Sequence, residues 1–187
     1  MRVEPQAIAD VLAITPKRIG DARGYFSETF RCDVFEAHCP GVRFVQDNQS
    51  LSAEAGTLRG LHFQTAPFAQ AKLVRVLAGA ILDVAVDIRH GSPSFGRHVA
   101  LRLDADSGTQ LLVPAGFAHG FCTLEPATLV SYKVSAYYSA SNDKGLAFDD
   151  PALAIAWPVA ARKAVLSAKD RTHPKLADLP AYFTYPA

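Results

Sequence analysis

The chain has few cysteines and almost no net charge, and each shortage excludes a class of protein. It contains three cysteines, Cys32, Cys39 and Cys122, and no Cys-x-x-Cys pair. A disulfide framework and a zinc knuckle are therefore disfavoured, and a reducing cytoplasm is predicted. The net charge is +1, without a block of lysine and arginine. This argues against nucleic acid or a membrane surface as a partner.

Long apolar runs are also missing. The longest candidate, residues 77–86, is interrupted by Gly79 and Asp83, so no segment reaches the length needed to cross a bilayer. Residues 1–10 carry acids and a proline, where a secretory signal peptide would be apolar. We therefore predict a cytoplasmic protein without a membrane segment.

What is present indicates one domain built mainly from strands. The chain has 187 residues, of which 49% are hydrophobic and 20% charged, which suits a single globular domain with a substantial core. Glycines and prolines separate eight short segments rich in Val, Leu, Phe and Thr, a spacing typical of an antiparallel sandwich or barrel. These segments are residues 43–47, 57–64, 72–77, 80–88, 98–103, 109–113, 120–124 and 128–135.

Few helices are expected. Residues 33–38 can form one, with Asp33 capping its start. Ser167-Ala-Lys-Asp170 fits a capping box, in which Asp170 would bond back to the backbone of Ser167.

Strand alternation assigns side chains to faces but leaves two questions open. Arg59 and His62 differ by three positions, so a regular strand aims them at opposite faces unless Gly60 marks a bulge. In residues 80–88 the apolar side chains share one face, opposite Asp83 and Asp87. That face could line an apolar pocket or belong to a packed interior.

The residues best suited to chemistry are His62, Lys72 and His119. A histidine base and a lysine cation on a β-rich scaffold fit removal of a proton beside a carbonyl group. The segments around His62 and His119 resemble metal-binding cupin motifs, but Gln64 replaces the second histidine. Because an amide is a poor ligand and an ammonium repels a cation, we predict no metal. The alternative is a metal-dependent cupin with His62, His119 and Gln64 as ligands.

Several motifs occur in the order typical of one family. They are Leu58-Arg-Gly-Leu-His-Phe-Gln64, Lys72-Leu-Val-Arg-Val76, Asp83-Val-Ala-Val-Asp-Ile-Arg89, Ser92-Pro-Ser-Phe-Gly96, Pro114-Ala-Gly-Phe-Ala-His-Gly-Phe121, Tyr132-Lys133, Tyr137-Tyr138 and Leu166-Ser-Ala-Lys-Asp170. Over residues 21–170 the chain resembles the dTDP-4-dehydrorhamnose 3,5-epimerases, the RmlC family. The resemblance implies an all-β, cupin-like antiparallel jelly-roll barrel with a few short helices. Its core would span about residues 43–135, with N-terminal strands and C-terminal short helices packed on it.

The resemblance also implies an activity. Members of that family are homodimers without a cofactor, and they invert C3 and C5 of dTDP-4-dehydro-6-deoxy-D-glucose in dTDP-L-rhamnose biosynthesis. By position, His62 corresponds to the base, Asp170 to its partner, Lys72 to the cation that stabilises the enolate, and Tyr132 to the proton donor. Tyr138 corresponds to the ring that stacks on thymine, and Asp143 stands where the family commonly has glutamate. The other implied substrate contacts are Arg23, Glu28, Gln46, Asp47, Asn48, Arg59, His119 and Lys169.

Each of the chemical residues also has a structural reading. Asp170 could cap a helix, Tyr132 could be core packing, and Lys72 could be a strand-edge lysine that discourages aggregation. Two functional alternatives remain besides the metal-dependent one. The chain could be a mono-epimerase that inverts only C3 or C5 of a related sugar, or a catalytically silent protein that binds the nucleotide sugar.

Overall fold

The computed structural model describes residues 1–185, and most of their ordered segments are antiparallel strands. The strands are β1 (Arg2–Pro5), β2 (Leu12–Thr15), β3 (Arg18–Asp21), β4 (Gly24–Ser27), β5 (Gln46–Ser52), β6 (Leu58–Gln64), β7 (Lys72–Ala78), β8 (Ala80–Asp87), β9 (Arg89–His90), β10 (His98–Asp104), β11 (Gln110–Val113), β12 (Phe117–Thr123), β13 (Thr128–Val134), β14 (Asp143–Gly145) and β15 (Phe183–Thr184). The helical elements are α1 (Cys32–His38) and the 3₁₀ turns Ala161–Lys163, Lys169–Arg171 and Leu176–Asp178. Within residues 1–185, no helix is long and apolar enough to span a membrane.

Two sheets face each other. One has six strands in the order β1-β2-β11-β7-β13-β5, and the other has five in the order β10-β8-β12-β6-β14. From β5 to β8, and again from β10 to β14, consecutive strands alternate between the two sheets, as in a jelly roll. The predicted fold class is confirmed. The six-stranded sheet also includes β1 and β2, which lie outside the range 43–135.

Seven of the eight predicted segments coincide with strands to within a few residues. The exception is residues 43–47, where the prediction is wrong because the strand is β5, Gln46–Ser52. Its sequence, Gln-Asp-Asn-Gln-Ser-Leu-Ser, is almost entirely polar. β5 lies at the edge of its sheet and pairs only with β13. Its inward side chains face a cavity rather than a packed core, so hydrophobic patterning cannot locate it.

The helix near residue 33 is present, but its predicted cap is wrong. α1 begins at Cys32, with Arg31 at the N-cap position and no side-chain cap. The Asp33 carboxylate instead forms an ion pair with Arg31, with 2.5 Å between Nη2 and Oδ2. The helix is held by Phe35, which is buried against Leu12 on the outer face of the six-stranded sheet.

The main hydrophobic core lies between the two sheets. Val74 and Val130 of the six-stranded sheet meet Ile81, Ala85 and Phe121 of the five-stranded sheet there, and all five are buried. Full burial of a large apolar side chain contributes about 1.5–3 kcal/mol to the stability of the fold. The packing of this layer therefore holds the two sheets at a fixed separation.

The second apolar layer covers the outer face of β8. Val84, Val86 and Ile88 pack against C-terminal residues that include Leu153 and Leu179. The apolar face of residues 80–88 is therefore a packed layer and does not line a pocket. Because alternate side chains point to opposite faces, Asp83 points inward, between the sheets.

β6 contains a bulge at Gly60. Arg59 pairs with Phe121 and His62 pairs with His119, so two residues of β6 oppose only Gly120 of β12. A Cβ on Gly60 would lie 2.5 Å from the Gly120 Cα, and its φ of +142° is a conformation that favours glycine. The extra residue lets Arg59 and His62 line the same cavity.

Candidate active site

Two cavities between the sheets share His62, Lys72 and Tyr132 among their lining residues. Their volumes are about 170 and 220 Å³. His62 comes from β6 of the five-stranded sheet, whereas Lys72 and Tyr132 come from the six-stranded sheet. An imidazole and a phenol therefore reach one space from facing sheets, with an ammonium beside them.

His62 is hydrogen-bonded to Asp170. The distance between His62 Nε2 and Asp170 Oδ1 is 2.5 Å, and the Asp170 side chain is only 3% exposed. Asp170 also donates its backbone N–H to Ser167 Oγ at 3.1 Å. One half of the capping box therefore forms, but the carboxylate is directed to His62 instead of the helix start. Because Nε2 carries this bond, Nδ1 is the nitrogen left to accept a proton.

The surroundings shift the pKa values of both partners, so that His62 is a neutral base and Asp170 an ionised acid. Burial lowers the pKa of His62, and the hydrogen bond and charge of Asp170 offset this only in part. Burial of Asp170 would raise its pKa, but its contacts with His173 and His62 outweigh burial and lower the pKa well below the usual range. At neutral pH the pair is thus a free imidazole beside a carboxylate.

Lys72 is a buried cation in the interior of a sheet. β7 lies between β11 and β13, and the residue is 8% exposed, so the strand-edge interpretation is wrong. Its Nζ donates to the His62 carbonyl oxygen at 3.2 Å. Burial lowers the pKa of Lys72 to about 8, with Asp143 and Asp83 partly opposing the fall. The ammonium form therefore still predominates at pH 7.

The ring of Tyr132 packs against the main core, while the residue also lines both cavities. Core packing and a site role are therefore compatible. Burial raises the pKa of Tyr132; Arg59 lowers it and Asp143 raises it to smaller extents. The hydroxyl group thus keeps its proton at neutral pH and can donate it.

The remaining predicted contacts divide into those that join these cavities and those that do not. The smaller cavity includes Gln46, Asn48, Tyr138 and Asp143, and the larger includes Arg59 and His119. Asp143 accepts hydrogen bonds from Tyr138 Oη, at 3.2 Å, and from Lys169 Nζ. Lys169 is therefore attached to the smaller cavity through Asp143.

Three of the predicted substrate contacts, Arg23, Glu28 and Asp47, line neither of these two cavities. Arg23 is at the tip of the β3–β4 hairpin, with its side chain 89% exposed and paired with Asp21. Asp47 is paired with Lys133 at 2.8 Å. Glu28 and Asp47 line a separate cavity of about 420 Å³, which Tyr132 also borders. Their roles stay predictions.

Two residues near the site were not identified from the sequence. Asp83 is fully buried, and its Oδ1 lies 2.7 Å from His119 Nε2, forming a second His–Asp pair. An acid inside the apolar segment 80–88 was the available signal. His173 follows Asp170 by three residues, and its Nε2 lies 3.5 Å from Asp170 Oδ1. Nothing in the sequence distinguished it.

Comparisons with known proteins agree on one family. A sequence model of the family described as dTDP-4-dehydrorhamnose 3,5-epimerase matches residues 5–178. A protein of that name from Sinorhizobium fredii is 54% identical over 185 residues, covering 99% of this chain and 94% of its own.

One solved structure and one less similar relative extend the comparison. The structure of the epimerase RmlC from Legionella pneumophila, in complex with dTDP-4-keto-L-rhamnose, is 41% identical, with a TM-score of 0.94 and coverage of 100% of this chain and 99% of that one. A dTDP-4-dehydrorhamnose 3-epimerase from Streptomyces niveus is 37% identical, covering 98% of this chain and 91% of its own.

Proposed function

The chain belongs to the dTDP-4-dehydrorhamnose 3,5-epimerase family, and from this membership we propose its reaction and the residues that perform it. It is an isomerase that epimerises C3 and C5 of dTDP-4-dehydro-6-deoxy-D-glucose to give dTDP-4-dehydro-L-rhamnose, a step of dTDP-L-rhamnose biosynthesis. The observation that carries the residue roles is the shared space bordered by His62, Lys72 and Tyr132 from facing sheets.

In the first step His62 removes a proton. Hydrogens on C3 and C5 are acidic because both carbons adjoin the C4 ketone, and Nδ1 of the neutral imidazole accepts one of them. Asp170, 2.5 Å from Nε2, holds the ring in that tautomer and stabilises the imidazolium that forms, as in other His–Asp pairs.

The electrons of the broken C–H bond move to the C4 oxygen, which becomes an enolate. Lys72 supplies the positive charge that this oxygen requires. Its ammonium is already desolvated, so stabilising the enolate demands little reorganisation of solvent, and fixed charges of this kind lower barriers strongly.

Inversion requires a proton on the other face of the ring. Tyr132 approaches from the opposite sheet, and its raised pKa keeps the phenol protonated until it donates. The enolate then collapses to the ketone with the new C–H bond on the opposite side. Solvent returns a proton to Tyr132 and removes one from His62, so the same pair serves the second carbon.

We propose that the polar residues around this space hold the nucleotide sugar. Arg59 and Lys169 supply positive charge for the diphosphate. Tyr138, which is largely exposed beside Asp143, offers a ring face for thymine. No step requires a cofactor or a metal ion.

The proposed reaction is tested by solvent exchange. The purified chain is incubated with dTDP-4-dehydro-6-deoxy-D-glucose in D₂O, and the product is analysed by NMR. We expect deuterium at both C3 and C5, because the phenol that protonates each carbon exchanges its own proton with solvent. Deuterium at one carbon only would identify a mono-epimerase, as the relative from Streptomyces niveus is named. No exchange at either carbon would refute the proposal.

We also propose that the chain is a homodimer. The β3–β4 hairpin exposes Ile19, Tyr25 and Phe26, the last with 69% of its surface accessible. Ile19 and Phe26 are cross-strand partners on one face of the hairpin, and exposed apolar side chains grouped in this way mark a surface that another molecule covers. A second copy docked there would bring Arg23, at the tip of the hairpin, to the surface of its neighbour.

The dimer is tested by sedimentation equilibrium. The wild-type chain should have the mass of two chains, and Phe26→Asp should shift the equilibrium to single chains. Val165→Asp is the matched control, because Val165 is an exposed apolar residue outside the hairpin and should leave the dimer intact. A wild-type protein with the mass of one chain at micromolar concentration would contradict the proposal.

We place the enzyme in the cytoplasm. Its cysteines are unpaired, and Cys32 is exposed, which suits a reducing compartment. Recovery of the protein in the periplasmic or secreted fraction of cells would contradict this.

A further inference from the structure

His173 lies beside the His62–Asp170 pair without bordering either of the two cavities that His62 lines. Its Nε2 is 3.5 Å from Asp170 Oδ1, the same oxygen that bonds His62, and its side chain is 8% exposed. The rings of His62 and His173 meet edge to face, with centroids 5.6 Å apart and planes at 79°. One carboxylate oxygen therefore serves two imidazoles, one in the cavity and one behind it.

The fold reserves a slot for this second ring. Gly145 of β14 is paired with His62 of β6, and a Cβ at this glycine would collide with the His173 ring. Gly145 is not among the glycines with positive φ. The nearby His173 ring, and not an unusual backbone conformation, therefore explains why this position holds a residue without a side chain. The following residue, Pro174, is fixed by a hydrogen bond from Ala147 N to its carbonyl oxygen at 2.8 Å.

The polar edge of the His173 ring has one partner available. Its Nε2 is buried and forms no hydrogen bond of ordinary geometry with the described residues, so the nearby Asp170 oxygen is the acceptor it faces. A buried N–H without a partner costs about 1–3 kcal/mol. The tautomer that carries its proton on Nε2, and so faces the Asp170 oxygen 3.5 Å away, is therefore the favoured one.

The same three residues have the composition of a metal site, because their ligand atoms lie within 4.8 Å of one another. The 2.5 Å between His62 Nε2 and Asp170 Oδ1 is a hydrogen-bond length. Two ligands each about 2.0–2.1 Å from one ion in tetrahedral geometry lie farther apart, at roughly 3.3 Å. Lys72 and Lys169 also act on His62 as neighbouring positive charges. The arrangement thus favours a hydrogen-bonded relay over a bound ion.

We propose that His173 is a positioning residue for the epimerase reaction, acting through Asp170. Its ring fixes the carboxylate from behind, so that Oδ1 stays aimed at His62 throughout the transfer of both protons. The contact with His173 also contributes to the lowered pKa of Asp170, which keeps the carboxylate charged when His62 becomes an imidazolium. The inference rests on the proposed function, because it assigns His173 to the same proton transfer.

The test compares variants that separate the N–H group from the volume of the ring. His173→Phe fills the slot without a donor, and His173→Gln retains a donor in a smaller side chain. We expect His173→Phe to lower kcat on the order of 10-fold to 100-fold, by analogy with the residues that orient metal-ligating histidines from behind. The KM of His173→Phe should stay within twofold of the wild-type value, because His173 does not reach the cavity. His173→Gln should recover at least a third of the loss in the logarithm of kcat.

Gly145→Ala provides an independent variant, because it displaces the His173 ring without altering its chemistry and should lower kcat in the same way. His98→Phe, in β10 and outside both cavities, is the matched control and should retain wild-type kcat.

Equal losses in His173→Phe and His173→Gln, a rise in KM that accounts for the whole effect, or wild-type kcat in His173→Phe would each overturn the inference. If His173→Phe does not fold, His173→Gln and Gly145→Ala decide it: wild-type kcat in Gly145→Ala would overturn the inference. A failure of the proposed function is distinguishable, since the wild-type chain would then show no deuterium exchange.

Discussion

Replacing His62 with asparagine is expected to lower kcat/KM by about 10³–10⁴, near the upper end of what a general base contributes. Asparagine has no lone pair on nitrogen that can accept a proton at neutral pH. In this structure the imidazole is the neutral, cavity-facing partner of a buried carboxylate. The loss should appear for inversion at both C3 and C5, because one base serves both carbons.

Two measurements make this result specific. His98→Asn replaces a histidine outside both cavities and should leave kcat/KM unchanged. The temperature of unfolding is measured in parallel, because His62 is the hydrogen-bond partner of the buried Asp170 carboxylate and its loss leaves that carboxylate with one partner fewer; activities are compared at a temperature at which both proteins are folded. Activity above a tenth of the wild-type value would show that another group removes the proton.

Replacing Tyr132 with phenylalanine is expected to slow inversion by about 10²–10⁴, the usual contribution of a positioned acid. The change removes one oxygen and retains the ring that packs against the main core, so the shape of the cavity should persist. His62, Lys72 and Asp170 remain, and the enolate can still form. It can then be reprotonated only from the side of His62, which restores the original configuration.

Tyr137→Phe is the matched control for this variant. Tyr137 is adjacent to Tyr138 but lines neither cavity and is exposed, so its hydroxyl should have no effect on inversion. Inversion by Tyr132→Phe at the wild-type rate would remove Tyr132 from the mechanism, whatever its position.

The sequence predicts the fold where burial dictates residue type. Strands such as β8 and β11 are made up mostly of buried apolar residues, and hydrophobic patterning located them. β5 escaped because its inward side chains Gln46, Asn48 and Ser50 line cavities, which removes the apolar signal. A strand that serves a polar site is thus the hardest to find by patterning.

The sequence indicated candidate residues for the site but not their arrangement in space. The family motifs pointed to His62 and Tyr132, whereas only the structure shows that they lie on facing sheets. Arg59 required the bulge at Gly60, which depends on its close approach to Gly120. His173 depends on the absence of a side chain at Gly145, across a strand pair, and a contact between residues so far apart leaves no local pattern.

The central claim is that His62 and Tyr132 act on opposite faces of one sugar ring. Solvent exchange in D₂O, measured by NMR in parallel for Tyr132→Phe and His62→Asn, tests it most directly. We expect Tyr132→Phe to introduce deuterium beside the ketone without inverting the carbon, and His62→Asn to introduce no deuterium above the rate without enzyme. Exchange by His62→Asn as fast as by the wild-type chain, or inversion accompanying exchange in Tyr132→Phe, would contradict the account.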